Sequence, residues 1–363
     1  MKPKTITILI GFVAGTLCAL SIVTACGEAQ LSGESATDIK QDPAPTVEGT
    51  SALPAVPLGL APIPVPDDNP MTSEKSELGK LLYFDPRLSK DGTISCATCH
   101  NPKEGWSERR ATSKGIRDQI GNRNSPTVIN SAYHGAQFWD GRAATLEEQA
   151  LGPIENPIEM GHKLEDVVKE LTAIPEYTKQ FQAVFGTGVT KDGIGKAIEA
   201  FERTVLSGNS PYDRFKGGDE TALSDAQKRG MQVFTKKGKC ALCHTPPTFS
   251  NGRYYNAGVD AGKTEPDLGR HDVTKKDRDF GKFRTPHLRD LVDTGPYFHD
   301  GNAKTLEDAV ALMADGGKDN PHLSSMMKGV RRAKLTDQDR KNLVEFLKAL
   351  SGQYPIIEPP KLP

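Results

Sequence analysis

Apolar positions recur along the chain at helical spacing, interrupted by long polar loops. Ile194, Ile198, Phe201 and Val205 fall on one face of a segment that predicts a helix over 194–205. Leu78, Leu81 and Leu82 do the same between Lys75 and Phe84. Helix starts are marked by capping-box pairs, Thr145 with Glu148, Ser224 with Gln227, Thr305 with Asp308 and Thr336 with Asp339. Alternating strand patterns are scarce. The pattern predicts a mainly α protein with long loops.

Before the first helical signal the pattern is different. Lys2 and Lys4 precede an apolar run from about Ile6 to Val23, followed by Thr24-Ala25-Cys26. Small residues ahead of a cysteine resemble a bacterial lipobox, so residues 1–26 read as a lipoprotein signal peptide lipidated at Cys26. An uncleaved membrane anchor is the competing reading, since the run is near the minimum spanning length. Either one places the body outside the cytoplasm. Residues 27–70 are rich in Pro, Ala, Ser, Thr and acidic residues and are expected to form a flexible tether.

The body contains a repeat. FWDGRAATLEE, from Phe138 to Glu148, recurs as FHDGNAKTLED, from Phe298 to Asp308, 160 positions later. Pro126 and Pro286 are paired by the same offset. The chain therefore reads as two related domains, 71–218 and 219–352, with a tail at 353–363 expected to pack back on the first.

Chemistry enters through the cysteines. Of the six, Cys18 and Cys26 belong to the N-terminal segment. Cys96-Ala97-Thr98-Cys99-His100 and Cys240-Ala241-Leu242-Cys243-His244 are two copies of CxxCH. That motif attaches a c-type haem, with the thiols bonding the porphyrin and the histidine reaching the iron. A zinc site would need four ligands in a closed tetrahedron, and a redox dithiol does not need the trailing histidine. Two covalently bound haem c groups are expected, with His100 and His244 as iron ligands. Met313 lies on the helix after Thr305, and a methionine there is usually core. Its equivalent in the first copy is Pro153, which has no ligand atom, so the two haem sites differ at this position.

Charge adds one exclusion. Lys plus Arg (46) balances Asp plus Glu (47), giving no reason to expect nucleic acid or an anionic membrane surface as partner.

Taken together, the residues resemble the bacterial di-haem cytochrome c peroxidases, a family that includes the di-haem enzyme maturing a tryptophan-derived quinone. The resemblance runs from about Thr72 to the C-terminus. It rests on both CxxCH motifs, NSPTVINSAYHGAQFWDGR, NPIEM, FRTPHLRDL, GPYFHDG and TLEDAVALM. It implies two tandem class-I-cytochrome-c-like haem domains, a peroxidatic one followed by an electron-transfer one. It implies that Met313 is the sixth ligand of the second haem, where the quinone-forming relative has a tyrosine. Glu159 of NPIEM would be the acid–base carboxylate over the first haem, with Gln149 in the same pocket, although a Glu beside Pro157 is ordinarily a solvated loop residue. Trp139 would lie between the haems and serve electron transfer, where an isolated Trp would be read as core. Asn124, Thr294 and Pro296 would hold a calcium ion. The resemblance also implies a periplasmic homodimer that reduces hydrogen peroxide with electrons from a small cytochrome c or copper protein. Here the lipid anchor would tie it to a membrane, the outer one being expected.

The sequence departs from the family in one loop. Members commonly carry a histidine near SKGIRDQIGN that caps the resting first haem, and Ile116 stands about where it would be. His134 is a conceivable substitute, although its place before Trp139 reads as structural. An uncapped first haem is expected, with the loop mobile or held aside. The alternatives are a di-haem oxidase acting on a protein or organic substrate, favoured by the missing histidine and weakened by Met313, and a non-enzymatic carrier with both irons six-coordinate.

Overall fold

The computed structural model describes Leu53–Pro363. The lipobox, Cys26 and the first part of the expected tether lie outside the described residues. Two apolar cores lie in succession along the chain. The first gathers Leu78, Leu82, Tyr83, Trp106, Ile198 and Phe201, and the second Val233, Phe234, Phe249, Val310, Phe346 and Leu347. Each is built around a crossed pair of helices, Ser73–Phe84 with Lys191–Glu202 and Asp225–Gln232 with Asp337–Lys348. Both crossings turn on a glycine. A methyl group at Gly79 would run into the carbonyl of Ala197, and one at Gly230 into that of Asn342.

The helix starts follow the local chemistry read from the sequence. Thr145, Ser224, Thr305 and Thr336 each accept a hydrogen bond from the amide three residues on. The repeated FxDG segments fold alike. Phe138 and Phe298 take left-handed backbone angles, and the antiparallel bridges Gln137–Ala143 and Tyr297–Ala303 close the same turn. Strand among the described residues is one two-stranded antiparallel ribbon, Tyr254–Tyr255 with Phe283–Arg284.

One expectation needs correction. The tether does not extend to residue 70 as a free chain. Leu58 O accepts from Asn209 N at 2.8 Å, and Ala61 O accepts from the Tyr133 hydroxyl at 2.7 Å. Pro64 O accepts from Arg203, and Asn69 is fully buried against Glu199 and Lys75. A proline-rich strand has little backbone entropy left to lose, so a few carbonyl contacts fix it. Tyr212 packs on the second core and its amide donates to Ala349 O at 3.0 Å. The C-terminal tail lies on the first core, where Pro355 O accepts from Trp106 Nε1 at 2.9 Å and Tyr354 and Ile357 pack.

Gly79→Ala is expected to cost about 1–3 kcal/mol of unfolding free energy in a guanidinium titration of the holoprotein. Gly329→Ala, in a helix with open space around the site, is expected to be neutral or to stabilise by about 0.5–1 kcal/mol.

Candidate functional site

Each CxxCH motif opens on its own cavity. The first, about 830 Å³, is lined by Cys96, Cys99 and His100 together with Gln149, Pro153 and Glu159. The second, about 420 Å³, is lined by Cys240, Cys243 and His244 together with Met313. The residues grouped at the sequence level are thus brought together in space, Glu159 and Gln149 with the first motif and Met313 with the second.

Both histidines are kept neutral. Burial lowers His100 to about 4 and pulls His244 below its ordinary value. His244 Nδ1 bonds Phe249 O at 2.9 Å, which leaves Nε2 as the nitrogen that could hold an iron. His100 Nδ1 is buried and unpaired: the Trp106 and Pro126 carbonyls face it, but neither closes a well-formed hydrogen bond. Two thiols, a neutral imidazole and a cavity suit covalent haem in each half. The four cysteines are unpaired with one another.

Glu159 is positioned by the turn after helix Leu146–Glu155. Asn156 Nδ2 donates to its Oε1 at 2.8 Å, a partner that nothing beyond its place in NPIEM singles out in the chain. Burial raises the Glu159 carboxyl above its usual range, while Arg142 and the Asn156 bond oppose that rise.

The loop at 113–121 is held against this turn. Ile116 N donates to Glu159 O at 2.8 Å, Gly115 N to Gln119 O at 2.9 Å, and Gln119 Nε2 to Pro157 O at 3.0 Å. Gly115 is needed there, because a methyl group would strike the Ile158 and Glu159 carbonyls. Ile116 is 3 % exposed and packs in the first core. The loop borders the first cavity through Ser113, Gly115 and Gly121, and the side chain of residue 116 is turned away from it into the core.

A single wall serves both cavities, and it contains Asn124, His134, Trp139, Arg284 and His299. Trp139 Nε1 donates to Asn124 O at 2.9 Å, Asn124 N to His299 O at 2.7 Å, and Arg284 N to Trp139 O at 2.7 Å. His134 is stacked loosely against His287, with ring centres 5.6 Å apart. Asn124, Thr294 and Pro296 line the second cavity together. Asn124 Nδ2 is committed to Arg110 O at 2.8 Å, leaving its side-chain oxygen as the remaining acceptor. Nearby, Asp260, His299 and Asp300 converge, but Lys263 Nζ already lies 2.5 Å from Asp260 and 2.7 Å from Asp300. Arg284 and His287 stand in FRTPHLRDL; the motif flagged the stretch, and nothing in its pattern marked Arg284 as a member of the wall or His287 as lining the second cavity.

Residues 73–221 match the family model for di-haem cytochrome c peroxidase, and residues 227–351 match that for cytochrome c. The chain is 41 % identical over 302 residues to cytochrome c551 peroxidase of Pseudomonas aeruginosa, covering 81 % of this chain and 83 % of that one. It is 40 % identical over 305 residues to methylamine utilization protein MauG of Methylorubrum extorquens, covering 83 % and 85 %. The chain belongs to the di-haem cytochrome c peroxidase family. Haem c is the cofactor this membership implies. A crystal structure of a MauG-like protein associated with microbial copper homeostasis superposes with a TM-score of 0.73 at 33 % identity, covering 82 % of this chain and 95 % of that one. The mainly helical, two-domain architecture is that of this peroxidase family. Among the described residues, no helix is long and apolar enough to cross a membrane.

Gly115→Ala is expected to detach the loop from Glu159. Hydrogen exchange at the Ile116 amide should accelerate, and limited proteolysis should cut between 113 and 121. Unchanged protection at Ile116 would show that the clamp does not depend on this close approach.

Proposed function

We propose that the protein is a periplasmic peroxidase that reduces hydrogen peroxide to water, with two electrons drawn from a small cytochrome c or copper protein. The observation that carries this reading is one cavity holding both a neutral proximal imidazole, His100, and a carboxylate raised above its usual range, Glu159. Cys96, Cys99 and His100 would hold the first haem, which would supply a binding site for peroxide and the electrons for cleavage of its O–O bond. Glu159 accepts a proton from one peroxide oxygen and returns it to the leaving oxygen, a role suited to a carboxylate whose affinity for protons is raised. Gln149 orients the substrate from the same wall. Met313 would hold the second haem through a soft, neutral thioether, which would favour the reduced state and suit a haem that receives electrons singly. Trp139, in the wall shared by the cavities, serves electron passage. Asn124, Thr294 and Pro296 offer oxygen ligands that suit a calcium ion. Dimerisation and the lipid anchor at Cys26 belong to the same proposal and rest on the family resemblance and the lipobox.

The second reading is oxidation of another protein or an organic substrate. The MauG relative favours it. Met313, where the quinone-forming relative carries tyrosine, speaks for peroxide reduction.

Glu159→Gln is expected to keep both haems and lower peroxide turnover by about 10²–10⁴-fold. As a base, Glu159 works deprotonated, so turnover should rise with pH through its raised pKa, with the acid limb above the usual carboxylate range. Arg142 opposes that rise, so Arg142→Ala should move the limb to still higher pH, and the Gln variant should lack the limb. Undiminished turnover in Glu159→Gln removes it from the role.

The held-aside loop sets the resting state. The all-ferric protein is expected to show a high-spin first haem by electron paramagnetic resonance and to react with peroxide without prior reduction. A ferric spectrum with two nitrogen ligands on the first haem would point to His134 as an unanticipated cap.

A further inference from the structure

Three arginines are buried among the described residues, Arg203, Arg284 and Arg289. Arg289 grips Asp213 through both terminal nitrogens at 2.7 and 2.8 Å, and Arg203 pairs with Glu199. Arg284, 5 % exposed, has no carboxylate within ion-pair reach among the described residues. Its Nε donates to Phe138 O at 3.3 Å, while its Nη1 is buried with no partner at all. A buried guanidinium without a counter-charge is costly by several kcal/mol. Burial accordingly pushes Arg284 down to about 10.

Its neighbours offer no compensation. His134 Nε2 and His287 Nδ1 are likewise buried and unpaired. Burial first, and then Arg284, holds both imidazoles neutral, His287 at about 3. Three side chains thus present unsatisfied nitrogen atoms, one of them charged, in or beside the wall between the two cavities. Arg284 and His134 line both cavities, and His287 lines the second.

We propose that Arg284 receives a propionate carboxylate of haem and is the anchoring charge between the two haems. The inference rests on the haem reading above. A c-type haem is tethered through its vinyl groups, which leaves the two propionates as the only anions the cofactor carries into the cavities. The planar guanidinium matches a carboxylate bidentately, and such pairs are strong where water is excluded. A cation held near the ring also favours the reduced, less positive iron. Because Arg284 N donates to Trp139 O at 2.7 Å, the same residue ties the propionate anchor to the Trp139 backbone.

The test uses the full-length holoprotein with Arg284→Gln and Arg284→Lys. Pyridine haemochrome spectra count the haems, and optical redox titration gives both midpoint potentials. The Gln variant is expected to retain two haems with at least one potential shifted downward, and the Lys variant to recover most of that shift. Unchanged potentials with both haems retained overturn the inference, whereas fewer than two haems in the unmodified chain would overturn the haem reading instead. A free anion is separated by titrating the unmodified protein with chloride or phosphate at fixed ionic strength. Potentials that follow the anion overturn the propionate assignment, and flat potentials support it. If the Gln variant does not fold, haem labelled with ¹³C in its propionates decides by infrared redox difference spectroscopy. A labelled band typical of a guanidinium-paired carboxylate supports the assignment, and one typical of a solvated carboxylate overturns it.

Discussion

The two halves are joined through a short chain of hydrogen bonds in the wall between their cavities, and the rest of the site depends on it. Asn124 receives the Trp139 indole on its carbonyl and gives its amide to His299 O, while Arg284 gives its amide to Trp139 O. Each bond joins a residue of one half to one of the other or fixes a residue that does. Main-chain groups dominate, so the register of the wall is insensitive to side-chain flexibility. Behind it, Ser207 Oγ donates to Asp290 at 2.9 Å and Arg289 grips Asp213.

The repeat gives the halves one scaffold and different chemistry. The turn closed by Gln137–Ala143 and that closed by Tyr297–Ala303 are superimposable in pattern, and each leads through a capping threonine into a helix over its cavity. On that common frame Trp139 is answered by His299, and Pro153 by Met313. At this position one helix offers its cavity a thioether and the other a proline with no ligand atom, so a single side chain distinguishes the two cavities here.

Much of this was legible in the chain. The CxxCH motifs, the three capping threonines and one capping serine, and the repeat are local signals, and local signals survive folding because they are satisfied within a few residues. The missing readings share a different cause. Proline-rich composition suggested a free tether to residue 70, but the carbonyls of Leu58, Ala61 and Pro64 find donors more than seventy positions away. Arg284 looks like any basic residue until its surroundings prove empty of carboxylates. Asn156 has no meaning until Glu159 lies beside it. Ile116 was placed correctly in the loop, yet its inward turn depends on Gly115 passing close to the Ile158 and Glu159 carbonyls, which only the tertiary approach reveals.

That inward turn carries an energetic argument about regulation. Swinging the loop over the first cavity would expose Ile116, at about 1.5–3 kcal/mol for a buried aliphatic side chain. It would also break the Ile116–Glu159 and Gln119–Pro157 hydrogen bonds, at about 0.5–1.5 kcal/mol each. A loop histidine would return part of that sum by binding iron, which is how a cap and an open state can lie close in energy. With isoleucine at 116 there is no such return, and every term favours the loop held aside. A switch requires two states within a few kcal/mol, biased by a ligand or a charge. Ile116 has no nitrogen on its side chain with which to stabilise a state that covers the cavity. The same contacts also fix the backbone of Glu159, so holding the loop open and holding the carboxylate in place are one structural event.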